Sequence, residues 1–466
     1  MSFLSRASGF LWGGPLLAAF LIVGGYYSVR TGFFQLFRFP LWWRTSAGSL
    51  LRRRRGRGSG VTQLQALSTA LAATIGTGSI AGVAAAIFYG GPGAVFWMWV
   101  SALLGMMTGC AEKTLAVRHR ERGPDGQWRG GPMSYMEKGL HLKGLARLYA
   151  CLCICETLCG GNLAQANSIA TSLHALTGAN RLTVGVVLAA VTAIVLVGGI
   201  RRVGKLSELL VPLMALLFLG GGLAVIVTHA QALPAALTDI VRYAFAPRAA
   251  VGGYAMGSAL RYGVARGVFT NEAGLGMSAI AHACADVEEP AEQGMWGIFE
   301  VFFATLVICT VTALVILTSG VYDPAAALAM VESGAVPESM LGAPLTAAGF
   351  AATLGRAGEW VVSVSLILFA FTSLLGAGYY GRRGQETLTG SRLALGAYQL
   401  VFPGCIILGA VADLTAVWEL VDLFNGLLAL PNLAALLLLS PEALWLLRDW
   451  TMRQSRRKMP KREKSG

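Results

Sequence analysis

Apolar runs of eighteen or more residues recur along nearly the whole chain, and each is long enough to cross a hydrocarbon core about 30 Å thick. In lipid, a backbone polar group left without a partner costs several kcal/mol. The pattern therefore implies an all-α polytopic membrane protein. Composition agrees. Of 466 residues, 55% are hydrophobic and 13% charged, with a mean hydropathy of +0.61, where a soluble chain of this size carries about 25% charged residues. Eleven transmembrane helices are predicted, near residues 9–29, 62–89, 92–117, 147–174, 181–199, 206–228, 254–283, 294–319, 356–381, 392–411 and 415–439.

The net charge of +13 is located between these spans: Arg52 to Arg55 and Arg57, Arg118, Arg120 and Arg122, Arg201, Arg202 and Lys205, Arg382 and Arg383, and the stretch from Arg456 to Lys464. Positive charge flanking spans sets orientation, and these residues read as cytoplasmic anchors beside anionic lipid. No aromatic-interleaved basic patch points to nucleic acid. Arg6 is the one charge ahead of the first span, while Arg30, Arg38 and Arg44 follow it. The first span is thus expected to be uncleaved, with its N-terminus outside and the C-terminus cytoplasmic, in a plasma (inner) membrane. Segments 30–61, 118–146, 200–205, 382–391 and 440–466 then fall inside. The acidic 284–293 loop departs from the pattern, but acidic residues carry little topological weight. The segments near 229–250 and 320–355 fall outside, the second with room for short surface helices.

The span at 62–89 is too long. Twenty-eight residues at 1.5 Å each give about 42 Å. Near its middle lies ATIGTGSIAG, Ala73 to Gly82, although glycine is about 1 kcal/mol worse than alanine inside a helix. The span at 254–283 has a matching stretch, FTNEAGLG, Phe269 to Gly276. Breaks at membrane depth persist only where other groups take up the freed backbone. Counted from 62–89, the two are the first and sixth core helices. Interrupted helices in corresponding places of two five-helix halves point to an inverted-repeat secondary transporter. The chain divides accordingly into 1–61, a core at 62–439 (repeats 62–228 and 254–439) and a basic tail at 440–466. Freed N–H groups and half-helix N-termini suit a carboxylate, and freed carbonyls suit a small cation. GTGSIAG has two competing readings. A dinucleotide fingerprint needs a βαβ unit, which two flanking membrane spans do not provide. Close helix packing through Gly78 and Gly82, at i and i+4, explains the glycines but neither Thr77 and Ser79 nor the polar residues of the matching break.

TIGTGSIAGVAAAIFYGGPGAVFWMW, RGGPMSYMEKGL, GNLAQANS, RYGVARGVFTNEAGLG with AIAHA, and NGLLALPNL occur in that order between residues 62 and 440. This set resembles the alanine or glycine:cation symporter family. The resemblance implies a leucine-transporter-like 5+5 core, transport of alanine or glycine, and sodium as coupling ion with no cofactor. Carried over by position, it implies substrate contacts at Gly76, Thr77, Gly78 and Ser79, at Gln165 and Asn167, and at Phe269, Thr270, Asn271 and Gly274. It implies a sodium site from the Ala72, Ile75 and Phe369 carbonyls and the Thr372 and Ser373 hydroxyls, an oxygen-only set that suits a hard ion. Two positions depart from the family pattern. Ser79 stands where it usually reads Asn, and Met277 where it commonly has Ser.

Among the remaining polar residues, Glu272 is expected to brace its break by accepting backbone N–H bonds, the alternative being a carboxyl that titrates during transport. Glu156 reads as an inward-facing carboxyl paired with a polar neighbour, the alternative being a proton-coupling site. Glu112 and Glu300 read as structural. Cys151, Cys155 and Cys159, at i, i+4 and i+8, read as small residues at a helix contact, and His282 with Cys284 is too sparse for a metal site. No nucleophile–base pair or phosphate loop points to an enzyme. The function expected is symport of a small neutral amino acid with sodium. A proton-coupled transporter of another small substrate and a transport-dead sensor remain as alternatives, and the oligomeric state is not legible.

Overall fold

The computed structural model describes residues 9–49, 61–124, 126–246, 256–337, 340–412 and 414–458; the arginine run at 52–57 and the end of the basic tail lie outside the described residues. The chain is helical almost throughout. Seven described helices are long and apolar enough to cross a membrane, which makes this a multi-pass membrane protein.

Helix α1 is Pro15–Arg30. The predicted span at 62–89 is two helices, α2 (Gln63–Thr74) and α3 (Ala81–Gly90), joined by a tight turn at Thr77–Ser79. Thr62 starts α2 with a capping box shared with Gln65. Then follow α4 (Gly93–Arg118), α5 (Lys143–Thr177), α6 (Arg181–Val197) and α7 (Gly199–Thr228). Helix α5 carries a wide π-turn at Cys159–Leu163, a distortion that commonly marks functional positions. A further helix α8 (Leu233–Phe245) leads to the second interrupted span, α9 (Met256–Asn271) and the short α10 (Ser278–His282). Beyond these come α11 (Pro290–Thr318), α12 (Ala343–Leu354), α13 (Arg356–Leu388), α14 (Arg392–Val411), α15 (Leu414–Leu438) and α16 (Ser440–Lys458), with a short helix at Pro324–Ser333 between α11 and α12.

Several expected loops are structured. Residues 200–205 are the first turns of α7, entered through Gly199 at φ +61°. Residues 382–388 continue α13, where Arg382 and Arg383 both pair with Glu386. Segment 118–146 holds a two-stranded antiparallel ribbon, β1 (Glu121–Arg122) with β2 (Trp128–Arg129). Arg120, read from sequence as a lipid-facing anchor, instead donates to the Ala283 and Ala285 carbonyls (3.1 and 2.6 Å) and lies 4.1 Å over the Trp128 ring. Burial lowers its pKa to about 10, so it is still a cation at neutral pH. In the 320–355 segment the short helix at Pro324–Ser333 buries only Ala327, as expected of a surface helix, whereas α12 buries Leu345, Thr346 and Phe350. The α16 helix buries Leu444, Leu447 and Trp450 and is anchored through Glu442 to Arg118 and His119.

Candidate functional site

The two breaks meet. Gly78 passes so close to α9 that a Cβ there would lie 2.8 Å from the Phe269 ring and 3.2 Å from Thr270 Oγ1. Gly82 is looser, with Arg266 Cδ at 3.9 Å. Gly78 therefore serves close helix packing and the break together. Gly76 approaches the Ser373 hydroxyl and the Gln165 amide.

Most backbone groups freed at the first break are taken up by the protein itself. Ser373 Oγ donates to the Ala72 and Ala73 carbonyls, each at 3.0 Å. Thr312 donates to the Ser79 carbonyl (2.8 Å), and Thr346 of α12 to the Ile80 carbonyl (3.1 Å). The Thr77 N–H faces Gln165 Oε1 at 3.4 Å, while Gln165 Nε2 donates to the Gly160 carbonyl in the π-turn (3.2 Å). The Thr77 hydroxyl is buried without a hydrogen-bond partner among the described residues.

The second break has its own frame. Asn271 Oδ1 accepts from Ala273 N (3.0 Å), and its Nδ2 donates to Thr305 (3.2 Å). Gly274 has φ +96°, a backbone state glycine adopts without strain. Its N–H donates to Glu112 Oε1 (2.9 Å) and its carbonyl accepts from Asn432 Nδ2 (2.9 Å). Asn432 also donates to Glu112 (2.8 Å) and accepts from Tyr135. The carboxylate that braces this break is thus Glu112 of α4, whereas the sequence reading gave that task to Glu272. Glu272 itself has φ 53° and one buried carboxylate oxygen without a partner.

A residue absent from the sequence reading, Lys113, lies fully buried between Glu112 (3.3 Å) and Glu300 (3.2 Å). Glu300 also bonds His282 Nε2 (3.2 Å) and accepts from Thr74 Oγ1 (3.0 Å) at the end of α2. Gln293 Nε2 lies 2.6 Å from His282 Nδ1, and Gln293 Oε1 accepts from Gln63 (3.3 Å). Gln293 is thereby oriented as donor and His282 as the neutral Nε2–H tautomer. One network thus joins both breaks. His282 and Cys284 take part in separate contacts, the thiol lying 3.0 Å from the Tyr379 hydroxyl.

Where the breaks meet is a cavity of about 30 Å³, with room for roughly two waters. Gly76, Gly78, Gln165, Phe269 and Ser373 line it, together with Thr74, Glu156, Glu272, Tyr380 and Asn425. Thr270 and Asn271 pack behind this lining: the Thr270 hydroxyl donates to the Arg266 carbonyl (2.8 Å). Asn167 lies apart. Its Nδ2 donates to the Gly409 and Ala412 carbonyls (3.0 and 2.8 Å) and so caps α14. The five residues of the expected cation site are buried. The Thr372 hydroxyl donates to the Phe369 carbonyl (3.0 Å) and faces Met214 Sδ (3.6 Å), and Ser373 ties α13 to the Ala72 carbonyl. Ile75 ends α2, its N–H donating to the Leu71 carbonyl (2.7 Å). The contacts seen thus join Thr372 with Phe369 and Ser373 with Ala72, through oxygens apart from one neighbouring thioether.

On the side of the cavity away from Lys113, Arg266 makes a two-pronged ion pair with Asp422 (3.0 and 3.0 Å). Its guanidinium lies 5.9 Å from the Phe269 ring and 5.8 Å from the Trp418 ring. Neither partner was named from sequence, although Arg266 lies inside the span predicted at 254–283 and Asp422 inside that at 415–439, because nothing in the sequence pairs the two.

Comparison with known proteins agrees with this architecture. The chain is 38% identical over 446 residues to the sodium/alanine symporter AgcS of Methanococcus maripaludis, covering 94% of this chain and 95% of that one. It is 38% identical to the uncharacterized transporter YflA of Bacillus subtilis, covering 94% and 90%. A mutant form of the Eremococcus coleocola manganese transporter shares the fold, with a TM-score of 0.51 at 17% identity over 82% of this chain and 78% of that one. These relatives and this neighbour are transporters. The sodium:alanine symporter family model matches residues 1–464, and the chain belongs to that family.

Proposed function

We propose that the chain is a secondary active symporter that imports a small neutral amino acid, alanine or glycine or both, with sodium by alternating access. The observation that carries this reading is the cavity at the junction of the two interrupted helices, lined by Gln165 and bordered by the oxygen cluster around Ser373. The name of the Methanococcus relative supports the substrate and the ion.

In this reading the substrate contacts the lining residues Gly76, Gly78, Gln165 and Phe269. Thr77, Ser79, Thr270, Asn271 and Gly274 shape the breaks, and Asn167 supports the helix behind them. Sodium sits among the Ala72, Ile75 and Phe369 carbonyls and the Thr372 and Ser373 hydroxyls. The ion competes with the hydrogen bonds from Ser373 to the Ala72 and Ala73 carbonyls, so its arrival re-sets the contact between α2 and α13. An ion couples to transport only by favouring one state over another, and this contact gives it a lever. The eleven spans form an N-terminal helix and two five-helix repeats, 62–228 and 254–439, that rock about the site. The N-terminus is outside and the C-terminus inside a plasma membrane.

Uptake of labelled alanine and glycine into proteoliposomes tests this. Accumulation is expected with an inward sodium gradient and not without it. Accumulation driven by a pH gradient alone would replace sodium by the proton, and binding without accumulation would leave a sensor.

A further inference from the structure

Glu156 and Glu272 take part in neither the cation cluster nor the bracing of the breaks. They are 4% and 8% exposed, and each keeps Oε2 buried without a hydrogen-bond partner among the described residues. Both line the cavity. Distorted backbone positions each of them. Glu156 precedes the π-turn at Cys159–Leu163, where the missing side chain of Gly160 leaves space for its carboxylate. Glu272 stands at φ 53°, a left-handed conformation unfavourable for a non-glycine residue.

Among the described residues, the cavity lining contains no Lys, Arg or His. The cation behind it, Lys113, is held between Glu112 and Glu300. A carboxylate at membrane depth is costly unless a cation or hydrogen-bond donors face it. Two facing one cavity can take up a proton while the site is empty, and they offer acceptors to a cationic group brought by the ligand. A primary ammonium suits them, since it brings three N–H donors to carboxylate oxygens that have none.

We propose that Glu156 and Glu272 form the subsite for the ammonium group of the transported molecule. This rests on the reading of the chain as an amino-acid transporter and adds what distinguishes the substrate from other small carboxylates. The pair excludes 2-hydroxy acids, which match alanine in skeleton and carboxylate but lack the cation.

The test uses the purified full chain in detergent at saturating sodium. Alanine binding is titrated directly, and lactate is titrated as a competitor. In Glu156→Gln and Glu272→Gln, the alanine Kd is expected to rise about tenfold or more, the worth of one charge-assisted hydrogen bond. The preference for alanine over lactate should shrink by a similar factor. An alanine Kd within about twofold of the parent in both variants overturns the proposal, since a lost hydrogen bond of this kind is larger than that. So does an equal weakening of both ligands, which is what damage to the fold would cause. Thermal unfolding of each variant checks the fold, and the two sites give independent tests should one variant not yield protein. If the parent binds neither alanine nor glycine, it is the amino-acid reading that has failed; if the parent binds and the preference does not move, only the ammonium subsite has.

Discussion

At the scale of single residues, the site depends on which way a side chain faces. Gln165 and Asn167 are two positions apart in the GNLAQANS stretch, and the resemblance assigns both to the substrate. Two residues on an α-helix are about 200° apart, so the two cannot face one cavity. Gln165 faces it and Asn167 caps α14. The motif was legible in the sequence, but the face was not, because the π-turn at Cys159–Leu163 shifts the register just ahead of it. Gln165→Ala should therefore weaken alanine uptake about tenfold, mainly by raising KM, while Asn167→Ala should mainly lower thermal stability, by about 1–3 kcal/mol for the carbonyls it leaves unpaired. Equal effects of the two variants on KM would remove the distinction. Thr372→Ala should raise the sodium concentration needed for half-maximal uptake and leave the alanine KM at saturating sodium unchanged. Uptake measured across a sodium series reads this directly. Gly78→Ala puts a methyl 2.8 Å from the Phe269 ring, an overlap that costs about 1–3 kcal/mol if the helices stay in place. Transport should be lost even where the protein is recovered folded.

At the scale of elements, the interrupted helices were legible from glycine and polar residues inside apolar runs, and both breaks fall where the sequence puts them. How they are held was not legible. From sequence, Glu112 reads as structural at the end of its span, and Lys113 beside it carries no role. The structure buries both completely and sets them against a break more than 160 residues away in the chain, with Glu112 Oε1 at 2.9 Å from Gly274 N. Only tertiary packing brings α4 under α9 and α10. Removing one member of such a cluster leaves an unpaired buried charge, at about 3–5 kcal/mol, whereas neutralising the whole group costs far less. Lys113→Met should accordingly lower the unfolding temperature in detergent more than the combined change Glu112→Gln, Lys113→Met and Glu300→Gln does. A triple variant less stable than Lys113→Met would mean that the cluster is not held by its charges.

At the scale of the whole molecule, two sets of polar contacts lie on opposite sides of one cavity. On the side of α10 and α16, Asp286 N donates to the Val61 carbonyl (2.8 Å), and Arg120 binds the carbonyls that follow α10. On the other side is the Arg266–Asp422 pair, with side chains 18% and 26% exposed, beside the edge-to-face rings of Phe269 and Trp418, 5.6 Å apart. Helix α9 reaches α15 through this pair, so opening that side of the cavity requires breaking it. At this exposure a two-pronged ion pair contributes on the order of 1 kcal/mol, enough to shift a two-state equilibrium about fivefold. Asp422→Asn should shift the population toward the form open on that side by this factor, and Arg266→Gln should do the same. A cysteine placed at Ser79 reports the change through its rate of reaction with a membrane-impermeant thiol reagent added outside. That rate should rise about fivefold in either variant and return toward the parent value when Arg266→Asp and Asp422→Arg are combined. If the rate does not change in Asp422→Asn, the pair holds the fold without controlling entry. A rise seen only when the reagent is inside would reverse the orientation inferred from the basic segments.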